Sequence, residues 1–132
     1  MVPTYPQSNL ALLLARILLA IGFVMDGFFF ATNPAGGAGY IQSVGLPGFL
    51  VYPAIVALLG GGLMVLVGYQ TRLASLFLAL LTVALAFVFH NKFSDMAEML
   101  FFKKDLAIAG GFLALMVAGA GDWSVDGARG QE

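Results

Sequence analysis

The stretch "AIGFVMDGFFFATN" (residues 20–33) closes an apolar run long enough to cross a lipid bilayer, and it carries one acid, Asp26. A carboxylate at the centre of a membrane helix costs about 2.5–3.5 kcal/mol on insertion scales. An acid in such a position usually pairs with another side chain, takes part in function, or does both. Asp26 is therefore the first candidate site residue of the chain.

The composition is that of a membrane protein. Of 132 residues, 61% are hydrophobic and 10% are charged, whereas soluble domains carry about 25% charged residues. A net charge of −1 provides no basic surface for nucleic acid. The chain has no cysteine, which excludes thiol exchange, iron–sulfur ligation and thiolate metal sites on its own side chains. The single His90 cannot alone build a bis-histidine haem site or a multi-histidine metal site.

We predict an all-α fold, a four-helix transmembrane bundle that forms one membrane domain over residues 1–132. The predicted spans cover residues 10–31, 51–67, 73–89 and 104–120, and the fourth helix can instead begin near Asp95. Ser8 or Asn9 is expected to cap the first span, and Asn33-Pro34 to end it. The N-terminal segment lacks Lys and Arg, so it predicts a retained first helix and no cleaved signal.

Three short segments leave alternatives open. "AGGAGYIQSVGL" (35–46) predicts a flexible connection or a short turn at the membrane surface. "FSDMAEMLFF" (93–102), with Ser94 as N-cap, either lies at the bilayer surface or forms the first part of a long fourth helix. "GGG" (60–62) indicates tight helix packing or, alternatively, a kinked helix beside a ligand.

The topology gathers polar residues in one half of the bundle, because the first and third spans end on the face where the second and fourth begin. Asp26, His90, Lys104 and Asp105 are therefore the candidate residues for ligand binding or proton handling. A lysine is expected to reach Asp26, with Lys104 a better inward candidate than Lys103. The alternatives are a purely structural ion pair at Asp26 and an ordinary interfacial role for His90. Gly22 lies one turn before Asp26, which predicts the close approach of another helix there.

The opposite half carries Arg16, about 15 Å from Asp26 along the helix. We expect Arg16 to snorkel to the near membrane face. Trp123 and Tyr69 fit interfacial anchors. The positive-inside count is balanced, and arginines close to span ends favour cytoplasmic N- and C-termini. No pattern identifies a nucleophile, a phosphate loop or a metal cluster, so no catalytic residue or metal ligand is assigned.

Five segments in order resemble the DoxX family of small bacterial membrane proteins. They are "LLLARILLAIGFVMDG" (12–27), "NPAGGAGYIQSVGLP" (33–47), "GGLMVLVGYQTRLASL" (61–76), "FKKDLAIAGGFLAL" (102–115) and "GAGDWSVD" (119–126). The residues that match the family pattern are Arg16, Gly27, Gly62, Gly68, Arg72, Lys104, Gly110, Gly111 and Asp126. The resemblance implies a four-helix protein of the bacterial inner membrane with both termini cytoplasmic.

The chain departs from that pattern in its acids. Many relatives have His or Ser before the first-helix glycine and a Lys one turn later, where this chain has Asp26 and Phe30. Many also carry a Glu in the second span, where this chain has "IVALLGGG" without an acid. The acidic group is thus expected to have moved from the second helix to the first.

The family is named for a subunit of a thiosulfate:quinone oxidoreductase, and other members look like components of redox-stress assemblies. The resemblance favours a subunit without an intrinsic cofactor, whose polar half holds a quinone head group or contacts the redox centre of a partner. Asp26, His90 and Lys104 are then expected to handle protons or hydrogen bonds. The alternatives are a non-catalytic scaffold or assembly factor and, less favoured, a small-molecule carrier. Expected partners are the bilayer, membrane redox subunits or further copies of the chain, and no nucleic acid. Whether the protein is itself an enzyme is left open.

Overall fold

The computed structural model describes residues 6–130, which are helical without any strand in that range. The helices are α1 (Pro6–Thr32), α2 (Pro34–Gln42), α3 (Gly48–Val67), α4 (Thr71–Phe89), α5 (Met96–Ala118) and α6 (Val125–Ala128). Helix α3 begins with a 3₁₀ turn and contains a π-helical stretch at Val56–Gly60. The predicted all-α class is confirmed.

Helices α1, α3 and α4 are each long and apolar enough to cross a membrane. They correspond to the first three predicted spans. Helix α5, with 23 residues, is of similar length and packs along α4, but its first half carries several charges. Three of the four predicted spans thus have the composition of a span.

Most of the predicted helix ends are close to those observed. Helix α1 ends at Thr32, directly before Asn33-Pro34, as predicted. The predicted caps of α1 are wrong, because Ser8 and Asn9 lie inside the helix. The Asn9 side chain instead pairs with Asp122: its amide donates to the carboxylate at 3.2 Å and its oxygen accepts from the Asp122 backbone N–H at 3.0 Å.

The two uncertain connections both turn out to contain helix. Residues 34–42 form α2, so the prediction of a flexible connection is wrong. The Asn33 side chain accepts from the Gly36 N–H at 3.2 Å, and Pro34 takes the first position of the helix. The long alternative for the fourth helix is confirmed, since α5 begins at Met96. Its N-cap is Asp95, whose carboxylate accepts from the Ala97 N–H at 2.9 Å, and not Ser94.

The core lies where α1, α3, α4 and α5 meet, around Ala20, Val65, Leu78 and Phe112, all fully buried. Helix backbones approach closely at glycines there. A Cβ on Gly61 would collide with Leu78, and one on Gly62 with Val24. Gly61 and Gly62 therefore pack tightly, as the first alternative predicted, and the π-helical stretch overlaps Gly60, the first glycine of the segment.

Candidate functional site

A cavity of about 440 Å³ lies between the helices in the half of the bundle that contains Asp26. Helices α1 to α5 all contribute to its lining. Apolar side chains form most of the wall, among them Leu19, Phe23, Phe30, Ile41, Leu58, Leu85 and Phe89. Asp26, Tyr40, His90 and Asp105 form its polar end. The structure thus brings three of the four predicted site residues to one cavity.

Asp26 faces the cavity from α1 and makes neither an ion pair nor a hydrogen bond with any residue from 6 to 130. The predicted pairing with a lysine is therefore wrong for the described part of the chain. Gly22, one turn earlier, also lines the cavity, and a Cβ built there would have no neighbour within 4 Å. The prediction of a close helix at Gly22 is wrong, and the missing side chain leaves open space beside Asp26.

His90 links the last turn of α4 to two acids of α5. Its Nδ1 lies 2.8 Å from Glu98 Oε2, and its Nε2 lies 3.9 Å from Asp105 Oδ2. The Asp105 carboxylate also lies near enough to Asp26 for their charges to repel. Glu98 and Asp105 therefore flank the His90 imidazole, and Asp26 lies near Asp105 at the same end of the cavity.

Lys104 is exposed, does not line the cavity and forms no ion pair with any described residue. The prediction that it points inward is wrong. Successive residues of an α-helix are rotated by about 100°, so Lys104 cannot share the inward direction of Asp105. Lys103 is exposed as well.

Sequence reasoning missed Tyr40. Its ring stacks on Phe89, with ring centroids 4.9 Å apart and planes 12° from parallel, and it lines the cavity beside His90. Burial raises the pKa of the Tyr40 hydroxyl, and the negative charges of Glu98 and Asp105 raise it further. The hydroxyl therefore stays protonated and remains a hydrogen-bond donor. Tyr40 belongs to α2, and the sequence signal that could have predicted this helix is Asn33-Pro34, a capping residue followed by proline at the first helical position.

A second polar cluster, the C-terminal node, comprises Arg16, Gly68 and Asp126 at the opposite end of the bundle. Arg16 is fully buried, and its guanidinium donates to the carbonyls of Leu66 at 3.2 Å and Trp123 at 2.5 Å. The prediction that Arg16 snorkels to the surface is wrong. The Asp126 carboxylate provides a nearby opposite charge.

Asp126 ties the C-terminal segment to the start of α4. Its two carboxylate oxygens accept from the N–H groups of Gln70 and Thr71, each at 2.8 Å, and its own N–H donates to Gly68 O at 2.7 Å. The carboxylate thus satisfies donors that the first turn of a helix leaves free. The C-terminal node is a structural element, distinct from the cavity.

Fold and cavity together define a small multi-pass helical membrane protein with an apolar internal chamber and an acidic end. Within residues 6–130, no group of three His, Asp or Glu side chains is placed to hold a metal ion. The chain belongs to the DoxX family, whose model matches residues 11–91. That match includes Asp26, Tyr40 and His90 and ends before Asp105 and Asp126.

Two relatives come from Escherichia coli K12. The inner membrane protein YqjF is 41% identical over 119 residues, which cover 90% of this chain and 92% of YqjF. The inner membrane protein YphA is 29% identical over 123 residues, 87% of each chain. No solved structure matches the chain significantly. The family and both relatives assign this protein to the inner membrane.

Proposed function

We propose that this protein is an integral subunit of a quinone-linked or redox-stress oxidoreductase assembly, and that its cavity holds the head group of a lipid-soluble quinone. The observation that supports this most is the cavity itself, with an apolar aromatic wall and a polar end made by Asp26, Tyr40, His90 and Asp105. Ligand sites in proteins combine these two features, and they usually occupy about 300–1,000 Å³.

The lining suits a quinone in shape and in hydrogen bonding. The flat ring and apolar tail match the side chains of Phe23, Phe30 and Phe89. The Tyr40 hydroxyl is a donor for a quinone carbonyl, and His90 can donate or accept according to its protonation. A bound quinone supplies the redox chemistry, while these residues bind and orient it and the carboxylates hold protons.

The topology that accompanies this function has α5 as the fourth span and both termini in the cytoplasm. A helix of 23 residues extends about 35 Å at 1.5 Å per residue, enough for the hydrocarbon layer of about 30 Å. Its exposed Lys103 and Lys104 can reach the head groups along their aliphatic stems. Its Asp105 faces the cavity and not the lipid.

The test is equilibrium binding of a short-chain quinone to the purified full chain in lipid nanodiscs. We expect saturable binding that Gly22→Leu weakens about tenfold or more, because the new side chain fills the cavity. Gly110→Leu is the matched control, since Gly110 faces open space and does not line the cavity. The proposal fails if binding is not saturable and quinone-linked activity is unchanged in a strain lacking the protein.

A non-catalytic scaffold is the second candidate, and one feature of α5 favours it. Ala107, Gly110 and Ala114 are exposed small residues at spacings that let another membrane helix approach closely. If the protein is a scaffold, Gly110→Leu abolishes complex formation in the membrane, whereas Asp26→Asn and His90→Ala leave function intact.

A further inference from the structure

The polar end of the cavity has more acidic than basic side chains. Asp26 and Asp105 line it from α1 and α5, and Glu98 holds the far side of His90. No Lys or Arg is among the described residues that line the cavity. The buried Arg16 belongs to the C-terminal node at the other end of the molecule. The single imidazole of His90 pairs with Glu98 and Asp105, and Asp26 forms no ion pair or hydrogen bond with a described residue.

The wall of the same cavity is aromatic close to these acids. Phe23 and Phe30 of α1, Tyr40 of α2 and Phe89 of α4 all line it. An organic cation over an aromatic face is stabilised by about 0.5–2 kcal/mol, with the larger value where water is excluded. Two carboxylates beside four aromatic rings make a site that distinguishes cations from anions of the same shape.

The cavity can also be reached from outside the bundle. Gly22 and Asp26 line it and are both exposed, and no side chain covers the space above Gly22. A ligand that partitions into the membrane can therefore reach Asp26 without a rearrangement of the core.

We propose that this cavity binds lipophilic organic cations, with the positive charge between Asp26 and Asp105 and the apolar groups against the aromatic wall. This ligand class follows from the charge and lining of the cavity, and it does not depend on quinone binding. A cation there supplies the opposite charge that Asp26 lacks. The attraction between them is strong because the medium around the cavity has a low dielectric constant.

The experiment compares two ions of the same shape and opposite charge, tetraphenylphosphonium and tetraphenylborate. Each is titrated onto the purified full chain in nanodiscs, with protein-free nanodiscs subtracted. We expect saturable binding of the cation and binding of the anion weaker by about tenfold or more. Equal protein-dependent binding of both ions, or no saturable binding of the cation, overturns the proposal.

Single substitutions then test which carboxylates bind the cation. Asp26→Asn and Asp105→Asn are each expected to weaken cation binding about tenfold or more, and Asp26→Glu to retain most of it. Asp95→Asn is the matched control, because it removes an exposed carboxylate outside the cavity and Asn caps a helix as well as Asp does. Thermal unfolding of each variant confirms that it is folded. Well-folded Asn variants that bind the cation like the unaltered protein contradict the proposal, and if they do not fold the comparison of the two ions decides.

The two proposals fail separately. Cation binding without quinone binding supports the cation site and contradicts the proposed quinone-linked function. Quinone binding without a preference for the cation supports the quinone-linked function and contradicts the cation site.

Discussion

The buried guanidinium of Arg16 connects α1 to the end of α3 and to the C-terminal segment. It holds the last turn of α3 through Leu66 and the C-terminal segment through Trp123, with Asp126 as the nearby opposite charge. The sequence predicts the correct half of the bundle for Arg16 but not its burial. Nothing in the local pattern shows that residues 119–126 fold back over α1, although the topology places both segments at the same face.

Replacing Arg16 should therefore be among the most destabilising single changes. Arg16→Met leaves Asp126 without its opposite charge and two carbonyls without donors, which costs about 3–5 kcal/mol in free energy of unfolding. Lys104→Met, which also removes one positive charge, should change it by no more than about 0.5 kcal/mol because Lys104 is exposed. Thermal or denaturant unfolding in detergent compares the two. Equal stability of the two variants contradicts the structural role of Arg16.

Gly68 is a residue whose lack of a side chain the fold requires. Its φ is +76°, and a Cβ there would overlap Ser124 and the guanidinium of Arg16. Gly68→Ala should lower the free energy of unfolding by at least about 1–3 kcal/mol. Gly110→Ala is the control, because Gly110 lies inside α5 with open space around it, so it should be neutral or slightly stabilising. If Gly68→Ala is tolerated as well as the control, the close packing of the C-terminal node is wrong.

The site residues show what a sequence can and cannot predict at this scale. Antiparallel topology alone places Asp26, His90 and Asp105 in the same half, and the structure brings them to one cavity. The inward direction of Lys104 was wrong because topology fixes the depth of a residue and not its rotation about the helix axis. Tyr40 was missed because its segment is rich in glycine, a residue that disfavours helices, so the short helix α2 was not predicted.

Hydropathy predicts where the membrane-spanning helices lie, but it does not predict the irregular turns within them. The bounds of α1, α3 and α4 are close to the predicted spans because apolar length is set by the bilayer. The π-helical stretch at Val56–Gly60 has no sequence signal, since all five residues suit an ordinary membrane helix. It places Ala57 and Leu58 at the cavity, and π-helical turns are frequent at functional sites.

The contact between α4 and the start of α5 can be tested through Glu98. Its carboxylate holds His90 at 2.8 Å, and both side chains are partly shielded from solvent. Glu98→Ala should cost about 1 kcal/mol in global stability, while hydrogen exchange of the backbone at residues 90–97 should accelerate more than elsewhere. Asp95→Asn, which retains the cap of α5, should leave that exchange unchanged. Uniform exchange in Glu98→Ala would show that the pair does not anchor this segment.

For the molecule as a whole, the proposed arrangement has α5 as the fourth span and both termini in the cytoplasm. The chain has no cysteine, so single-cysteine labelling with a membrane-impermeant reagent needs no background changes. Ser94→Cys, in the exposed connection before α5, should be labelled in intact cells from the periplasmic side. Ala128→Cys, exposed near the C-terminus, should react only after the inner membrane is permeabilised. Labelling of both positions from the same side would mean that α5 does not cross.

A ligand site in the cavity beside Asp26 should be open to direct chemical labelling. The most direct measurement is photolabelling of the full chain in nanodiscs with a short-chain azidoquinone, followed by mass spectrometric mapping of the labelled residues. We expect label on cavity residues of α1 and α4, such as Phe23, Phe30 and Phe89, with loss of that label in Gly22→Leu and retention in Gly110→Leu. Label confined to the outer, lipid-facing residues of the helices, and equal in both variants, would contradict it.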